Sequence, residues 1–154
     1  MKNLITIRGL YYEEYELGAT ITSQARTVTE SDIVNFAALS GDWNPLHTDA
    51  ETAGQSPYGG RIAHGLLVLS IASGLAERLG FMTGTVLGFM NLNWEFRAAV
   101  KIGDTVHVTA AVEELKPMPR LGGGYVTFKL KVLNQEDKVV QRGTWKVLIK
   151  SQEA

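Results

Sequence analysis

Cysteine is absent from the 154 residues, which removes disulfides, thiolate nucleophiles and cysteine-based zinc sites, and fits a cytoplasmic location. An excess of charge of either sign is missing as well. The formal net charge is -1, so no basic field exists to hold a nucleic-acid backbone or an anionic membrane surface, and neither partner is expected. Long apolar runs are lacking. The longest, Gly65 to Ala76, contains Ser70, Ser73 and Gly74 and falls well short of a bilayer span. The apolar run at the N-terminus, Met1 to Ile7, is too short for a signal peptide and is cut off by Arg8. No Gly-x-Ser-x-Gly elbow is present, which argues against serine-hydrolase chemistry.

What remains is a chain that is 45% hydrophobic, enough at this length for a single domain, 1–154, with its own core. Residues 1–17 mix Tyr11, Tyr12 and Tyr15 with Glu13, Glu14 and Glu16 and read as a lead-in segment lying across that domain. The β-branched residues from Ala19 to Val28 suggest a first strand. Thr29-Glu30-Ser31-Asp32 has the form of a helix start, Ile33, Phe36, Ala37 and Ser40 follow at helical spacing, and Gly41 suits the stop. From Asp42 to Ala63 the chain is polar and broken by Pro45, Pro57, Gly59 and Gly60, a long loop with one turn of helix around Ala50 to Ala53. Long ordered loops inside compact domains are more often functional than idle.

Leu66 to Leu79 is apolar nearly all round a helix that Gly80 can end, so that helix should be buried. Strands follow at about Val86–Ala98, Thr105–Leu115, Tyr125–Leu133 and Val139–Ile149. In the third of these Val126, Phe128, Leu130 and Val132 alternate with Thr127, Lys129 and Lys131, the period of a sheet with one wet face. Phe89, Trp94 and Phe96 fall in a strand expected to be central, where they would be core or line an acyl pocket. One buried helix followed by meandering strands implies an α+β fold with an antiparallel sheet packed on or wrapped around that helix.

Asp42 and His47 bracket a short loop in which Pro45 fixes its own φ and pushes Asn44 towards extended backbone. A carboxylate and an imidazole that share one water suit addition across a carbon-carbon double bond, one group taking a proton from the water and the other supplying one. The plainer alternative is a helix-end Asp and a surface His that tie down a loop. Arg61-Ile62-Ala63-His64-Gly65 runs into the start of the apolar helix, where free backbone N–H groups can receive a developing oxyanion and Gly65 permits close approach. His64 can equally be a satisfied helix-start histidine. Ser73, eight residues past Gly65 and so on a similar face, supports the site or bonds back to its own helix. A metal site drawn from Asp42, His47, Asp49 and His64 lacks the helical spacing of paired His ligands, and none is expected. Arg61, Arg97, Lys101 and Lys116 are solvated cations or meet nucleotide phosphates.

The stretch Phe36-Ala37-Ala38-Leu39-Ser40-Gly41-Asp42-Trp43-Asn44-Pro45-Leu46-His47, with His64-Gly65 and Ile71-Ala72-Ser73-Gly74, resembles the hydratase-2 signature of the MaoC-like family, which includes the (R)-specific enoyl-CoA hydratases. Trp94 to Asp104 is similar to the strand-turn signature that follows the central helix there. The resemblance spans about residues 10 to 150. It implies a hot-dog fold, an antiparallel sheet wrapped around the helix that begins near Gly65. It also implies a dimer or larger homo-oligomer, and a tunnel admitting the pantetheine arm of an acyl-CoA.

Carried over by residue, the resemblance implies that Asp42 is the base and His47 the proton donor, with the two roles open to exchange. It further implies that Asn44 orients the pair, that Gly65 N–H polarises the thioester carbonyl and that Ser73 supports the site. His64, Arg61, Trp94 and Phe96 stand as candidates for contact with substrate. The activity implied is hydration of a trans-2-enoyl-CoA to the (R)-3-hydroxyacyl-CoA or its reverse, with no cofactor beyond the coenzyme A of the substrate. Alternatives on the same scaffold are an acyl-CoA thioesterase and a non-catalytic acyl-CoA or acyl-carrier binding module.

Overall fold

The computed structural model describes residues 8–153. The run Met1 to Ile7, on which the reading about a signal peptide rests, lies outside them. Thr29 caps helix α1 (Glu30–Ser40): its side chain accepts from Asp32 N–H, and the Asp32 carboxylate accepts from Thr29 N–H in return. Gly41 ends the helix in the left-handed region at φ 76°, where a residue with a Cβ would be strained. These local signals hold the loop that follows at a defined starting point.

Arg26 also reaches Asp32, at 2.6 Å. Burial pushes the Asp32 carboxyl up, but the Thr29 N–H and the Arg26 guanidinium outweigh it, and its pKa lies below the ordinary carboxylate value. A carboxyl group lowered on folding contributes stability that is present above its unfolded pKa and lost as pH falls through the folded one. Asp32→Ala is therefore expected to cost about 1 kcal/mol at neutral pH, the scale of a lost cap. In paired thermal melts the gap to wild type should narrow once the pH drops through about 4. A gap of constant size across that range would contradict the assignment.

Two short helices occupy the long loop, α2 (Pro45–Thr48) and α3 (Ala50–Gly54). The second matches the helical turn expected there. The first is an addition, set up by Asn44 as cap and Pro45 in the first helical position, where its missing N–H has no helical partner to lose. Helix α4 (Gly65–Glu77) is the long one. Leu67, Val68, Ala72, Leu75 and Ala76 are buried, whereas Leu66, Ser70, Ser73 and Gly74 are exposed. Burial all the way round is thus corrected to burial on one face, because only one side of α4 meets the sheet.

The sheet is antiparallel. It contains β1 (Thr20–Thr22), β2 (Arg26–Thr27), β3 (Val86–Phe96), β4 (Thr105–Met118), β5 (Gly123–Leu133) and β6 (Val139–Lys150), in the order β1-β4-β5-β6-β3 with β2 also on β4. The single strand expected from Ala19 to Val28 is two pieces. Between them the Ser23 hydroxyl accepts from Val108 N–H and takes the place of a ladder bond. Inward residues of β4, β5 and β6, among them Val106, Val108, Val126, Phe128, Leu130, Trp145, Val147 and Ile149, form one cluster with the buried face of α4.

Strand β3 is at the sheet's edge, not its centre. Phe89 and Phe96 are exposed and Trp94 is half-buried, so the expectation of a core strand is corrected: β3 pairs with β6 alone and its second ladder is open among the described residues. Of the lead-in segment, the described residues from Arg8 onward lie against the body of the domain. Gly9 and Leu10 N–H bond to Thr83 and Phe81 carbonyls, and the buried Tyr15 hydroxyl donates to Phe81 O at 2.9 Å. Among the described residues no helix is long and apolar enough to cross a membrane.

Candidate active site

Asp42 follows the Gly41 stop directly, and its carboxylate is turned back on the chain. Asp42 N–H donates to Ser40 Oγ at 3.1 Å, and Asp42 Oδ1 accepts from Asn44 N–H at 3.2 Å. Oδ2 makes no hydrogen bond to a described residue. Asn44 Oδ1 accepts from Leu46 N–H at 3.0 Å and so caps α2. Asn44 thereby fixes the start of the helix that carries His47.

His47 lies 2.8 Å through Nδ1 from the Ile62 carbonyl. A carbonyl oxygen only accepts, so Nδ1 carries the hydrogen and Nε2 is the nitrogen left for proton exchange. The contact is reinforced by Ile62 N–H bonding to Leu46 O at 3.0 Å. Ile62 is bridged in turn to Lys101, and Ala63 N–H donates to Val100 O. The Asp-His loop is in this way stitched to the segment leading into α4.

His64, at the N-terminal boundary of α4, is 2% exposed and directs Nε2–H to the Asp42 carbonyl at 2.9 Å. Its ring stacks on His47 with centroids 3.8 Å apart at 26° and packs against Phe36 of α1 at 4.9 Å. One ring therefore anchors the backbone of one catalytic candidate and supports the imidazole of the other. Because His64 turns away to Asp42, α4 has no side-chain cap, and its first N–H groups, beginning at Gly65, are free of one.

One carboxylate oxygen of Asp42 and one nitrogen each of His47 and His64 all lie within 4.8 Å of one another. A single water spans that separation with two hydrogen bonds of about 2.8 Å. The same three groups have a donor set that could hold a metal ion, with one nitrogen of each imidazole already given to a carbonyl as ligating histidines commonly have. Asp49 does not join them. Both of its carboxylate oxygens are spent on α3, which it caps.

Next to this group a cleft of about 640 Å³ opens between Tyr58, Ile62, Gly65, Phe96, Arg97 and Gln141. Gly65 lines it, and a Cβ there would stand 2.7 Å from Phe96 Cδ1. The close approach that demands glycine in the structure is thus to an aromatic ring of the protein.

The other candidates divide. Phe96 lines the cleft. Arg61 is paired with Glu30 of α1, and Trp94 donates its indole N–H to Gln141 Oε1 at 2.9 Å. Ser73 is exposed and donates to Ser70 O within its own helix at 2.7 Å; the structure does not bring it into the group around Asp42. Gln141, 2% exposed and bonded to Gly65 O, is the residue that sequence reasoning missed. A signal existed: counting back by twos from the buried Ile149, Val147 and Trp145 arrives at Gln141, a polar side chain on the core face of β6.

Residues 14–132 match the family model described as the MaoC like domain. Over 115 residues, 74% of this chain and 71% of the relative, the sequence is 39% identical to a 3-hydroxybutyryl-CoA dehydratase of Methylorubrum extorquens. It is 36% identical to an (R)-specific enoyl-CoA hydratase of Rhodospirillum rubrum over 140 residues, 90% and 91% of the two chains. Among solved structures, a protein described as a monoamine oxidase regulatory protein from Archaeoglobus fulgius superposes with a TM-score of 0.89 at 37% identity, covering 96% of this chain and 99% of that one. A Mycobacterium tuberculosis protein described as having a double hotdog fold superposes at 0.82, covering 96% of this chain and 46% of that one, with 18% identity, a likeness of fold alone. The chain belongs to the MaoC-like hydratase/dehydratase family and has the hot-dog fold.

Proposed function

We propose that this protein hydrates trans-2-enoyl-CoA thioesters to (R)-3-hydroxyacyl-CoA and catalyses the reverse dehydration. The observation that carries the reading is the convergence of Asp42 and His47 within 4.8 Å beside the uncapped start of α4 at Gly65. The names of the relatives, an (R)-specific enoyl-CoA hydratase and a 3-hydroxybutyryl-CoA dehydratase, support the substrate class.

In the forward direction the thioester carbonyl accepts from Gly65 N–H, which draws electron density from the double bond and leaves C3 electrophilic. Water, held between Asp42 and His47, loses a proton to Asp42 as its oxygen bonds to C3. His47 enters the step as the imidazolium, with Nδ1–H on the Ile62 carbonyl, and delivers its Nε2 proton to C2. The negative charge on the carbonyl oxygen collapses back into the thioester, and the proton taken by Asp42 then passes to Nε2, which restores the pair. One water is consumed, no electrons leave the substrate, and the reaction as drawn needs no resident cofactor. Dehydration runs the same steps backwards. The phosphates and pantetheine arm of coenzyme A would approach through the cleft past Phe96 and Arg97.

The ladder of β3 that is open among the described residues, with Leu87, Phe89, Met90 and Leu92 exposed along it, supports a homodimer in which two such edges pair. A cysteine-free chain acting on acyl-CoA fits the cytoplasm.

The test is loss of the conjugated enoyl-thioester absorbance on mixing with crotonyl-CoA and with longer and branched enoyl-CoAs, with the product resolved by chirality. Turnover to the R product is expected. Release of free thiol without hydration would instead mark a thioesterase, and CoA-ester binding without turnover a binding module; either result overturns the reading.

A further inference from the structure

A buried primary amide on a strand must find partners for both of its ends, since an unsatisfied polar group in a core is costly. Gln141 of β6 does so by joining two other elements. Its Nε2 donates to the Gly65 carbonyl at 2.9 Å, and its Oε1 accepts from Trp94 Nε1 at 2.9 Å. The orientation is forced, because an indole N–H can only donate and a peptide carbonyl can only accept. Trp94 on β3, Gln141 on β6 and the first residue of α4 therefore form one hydrogen-bonded relay.

Gly65 needs outside restraint. With no Cβ, its φ and ψ are held by no side chain of its own. The structure supplies three holds. His64, the residue before it, is anchored through its ring to the Asp42 carbonyl, the Phe96 ring lies against the Gly65 Cα, and Gln141 takes a lone pair of the Gly65 carbonyl beyond the one that helical bonding uses. Only the last of these acts on the peptide plane that follows Gly65.

We propose that Gln141 is a positioning residue for thioester activation: it fixes the Gly65 carbonyl on one side of the Cα while anchored His64 holds the preceding peptide, which carries Gly65 N–H, on the other, so that the donor keeps its place beside the cleft. This rests on the hydratase reading and deepens it. Gln141 touches no reacting atom. It acts by holding, through the carbonyl, the residue that carries the backbone donor.

The role has a kinetic signature. Charge on the thioester oxygen develops in the transition state, so a misdirected donor should lower kcat while leaving KM nearly unchanged. For Gln141→Leu a fall in kcat of roughly tenfold or more is expected, part of the effect of losing an oxyanion donor outright. Gln141→Glu adds a pH test. Ionised, the introduced carboxylate faces the Gly65 carbonyl with no hydrogen to give; protonated, it can donate there and still accept from Trp94. Its activity relative to wild type should rise as the pH is lowered. Trp94→Phe cuts the relay at its other end, should reduce kcat less, and serves if the Gln141 variants fail to fold.

The measurement is kcat and KM on crotonyl-CoA from pH 5.5 to 8.5, normalised to folded protein by circular dichroism. A purely structural role would lower the melting temperature and leave kcat per folded molecule intact. Wild-type kcat in folded Gln141→Leu, a pH-independent ratio for Gln141→Glu, or, where neither variant folds, an unchanged kcat in Trp94→Phe overturns the inference. Failure of the wild-type protein to turn over any enoyl-CoA would overturn the hydratase reading itself, a distinguishable result.

Discussion

Asp42→Asn and His47→Gln are each expected to lower kcat/KM for enoyl-CoA hydration by about a thousandfold or more, within the range attributed to positioned acid-base groups. Both variants should fold. Asp42 is exposed, and an amide oxygen can still accept from Asn44 N–H. Glutamine at 47 can still donate to the Ile62 carbonyl that now receives Nδ1–H. What disappears is the capacity to take and return a proton beside one water. The double variant should be little worse than either single one, because groups that act as a unit do not contribute additively. Full activity in either single variant, measured with melting temperatures in hand, would dismiss the pair as the catalytic centre.

A charged β3 edge is expected to separate the molecule into monomers. Among the described residues Leu87 and Leu92 are exposed on a strand that pairs with β6 alone, and lysine at both places lines the edge of each copy with positive charge, so that like charges are brought together when two copies pair antiparallel. Light scattering at micromolar concentration should then report half the wild-type mass. Activity should fall too, by up to about a hundredfold. The reason is geometric: Trp94 and Phe96 belong to the same strand and press on the Gly65 region through Gln141 and directly, so an edge released from its partner loosens the donor side of the site. A monomeric wild type, or a variant with unchanged mass and rate, would refute the coupling.

Local chemistry made parts of this structure readable in advance. The cap at Thr29, the stop at Gly41 and the alternation along β5 depend on residues a few positions apart, and α1 and the long strands fall where those cues put them. The rigidity of the Asp42-to-His47 loop was readable for the same reason from Asn44 and Pro45, although the short helix α2 that the same pair caps was not. Misjudged features depend on distant partners. The break between β1 and β2 exists because Ser23 meets Val108, 85 positions along. Strand order is not local information, so β3, first of the long strands in sequence, was taken for a central one. Gln141 acquires its function from Gly65, 76 residues away, and from Trp94, 47 residues away. Ser73 carried two readings from the sequence, and the structure shows the hydrogen bond of one of them, to Ser70 one helical turn away.

Between Asp42 and Asn44 stands Trp43, an indole 53% exposed in a chain with only three tryptophans. Its backbone carbonyl is fastened by Thr48, yet its ring remains open to solvent. The loop that carries the carboxylate therefore carries an optical label of its own, and its emission should shift when an acyl-CoA displaces solvent from around it. In Asp42→Asn, where chemistry is silenced, that emission would still count occupied molecules and separate recognition of the thioester from its conversion.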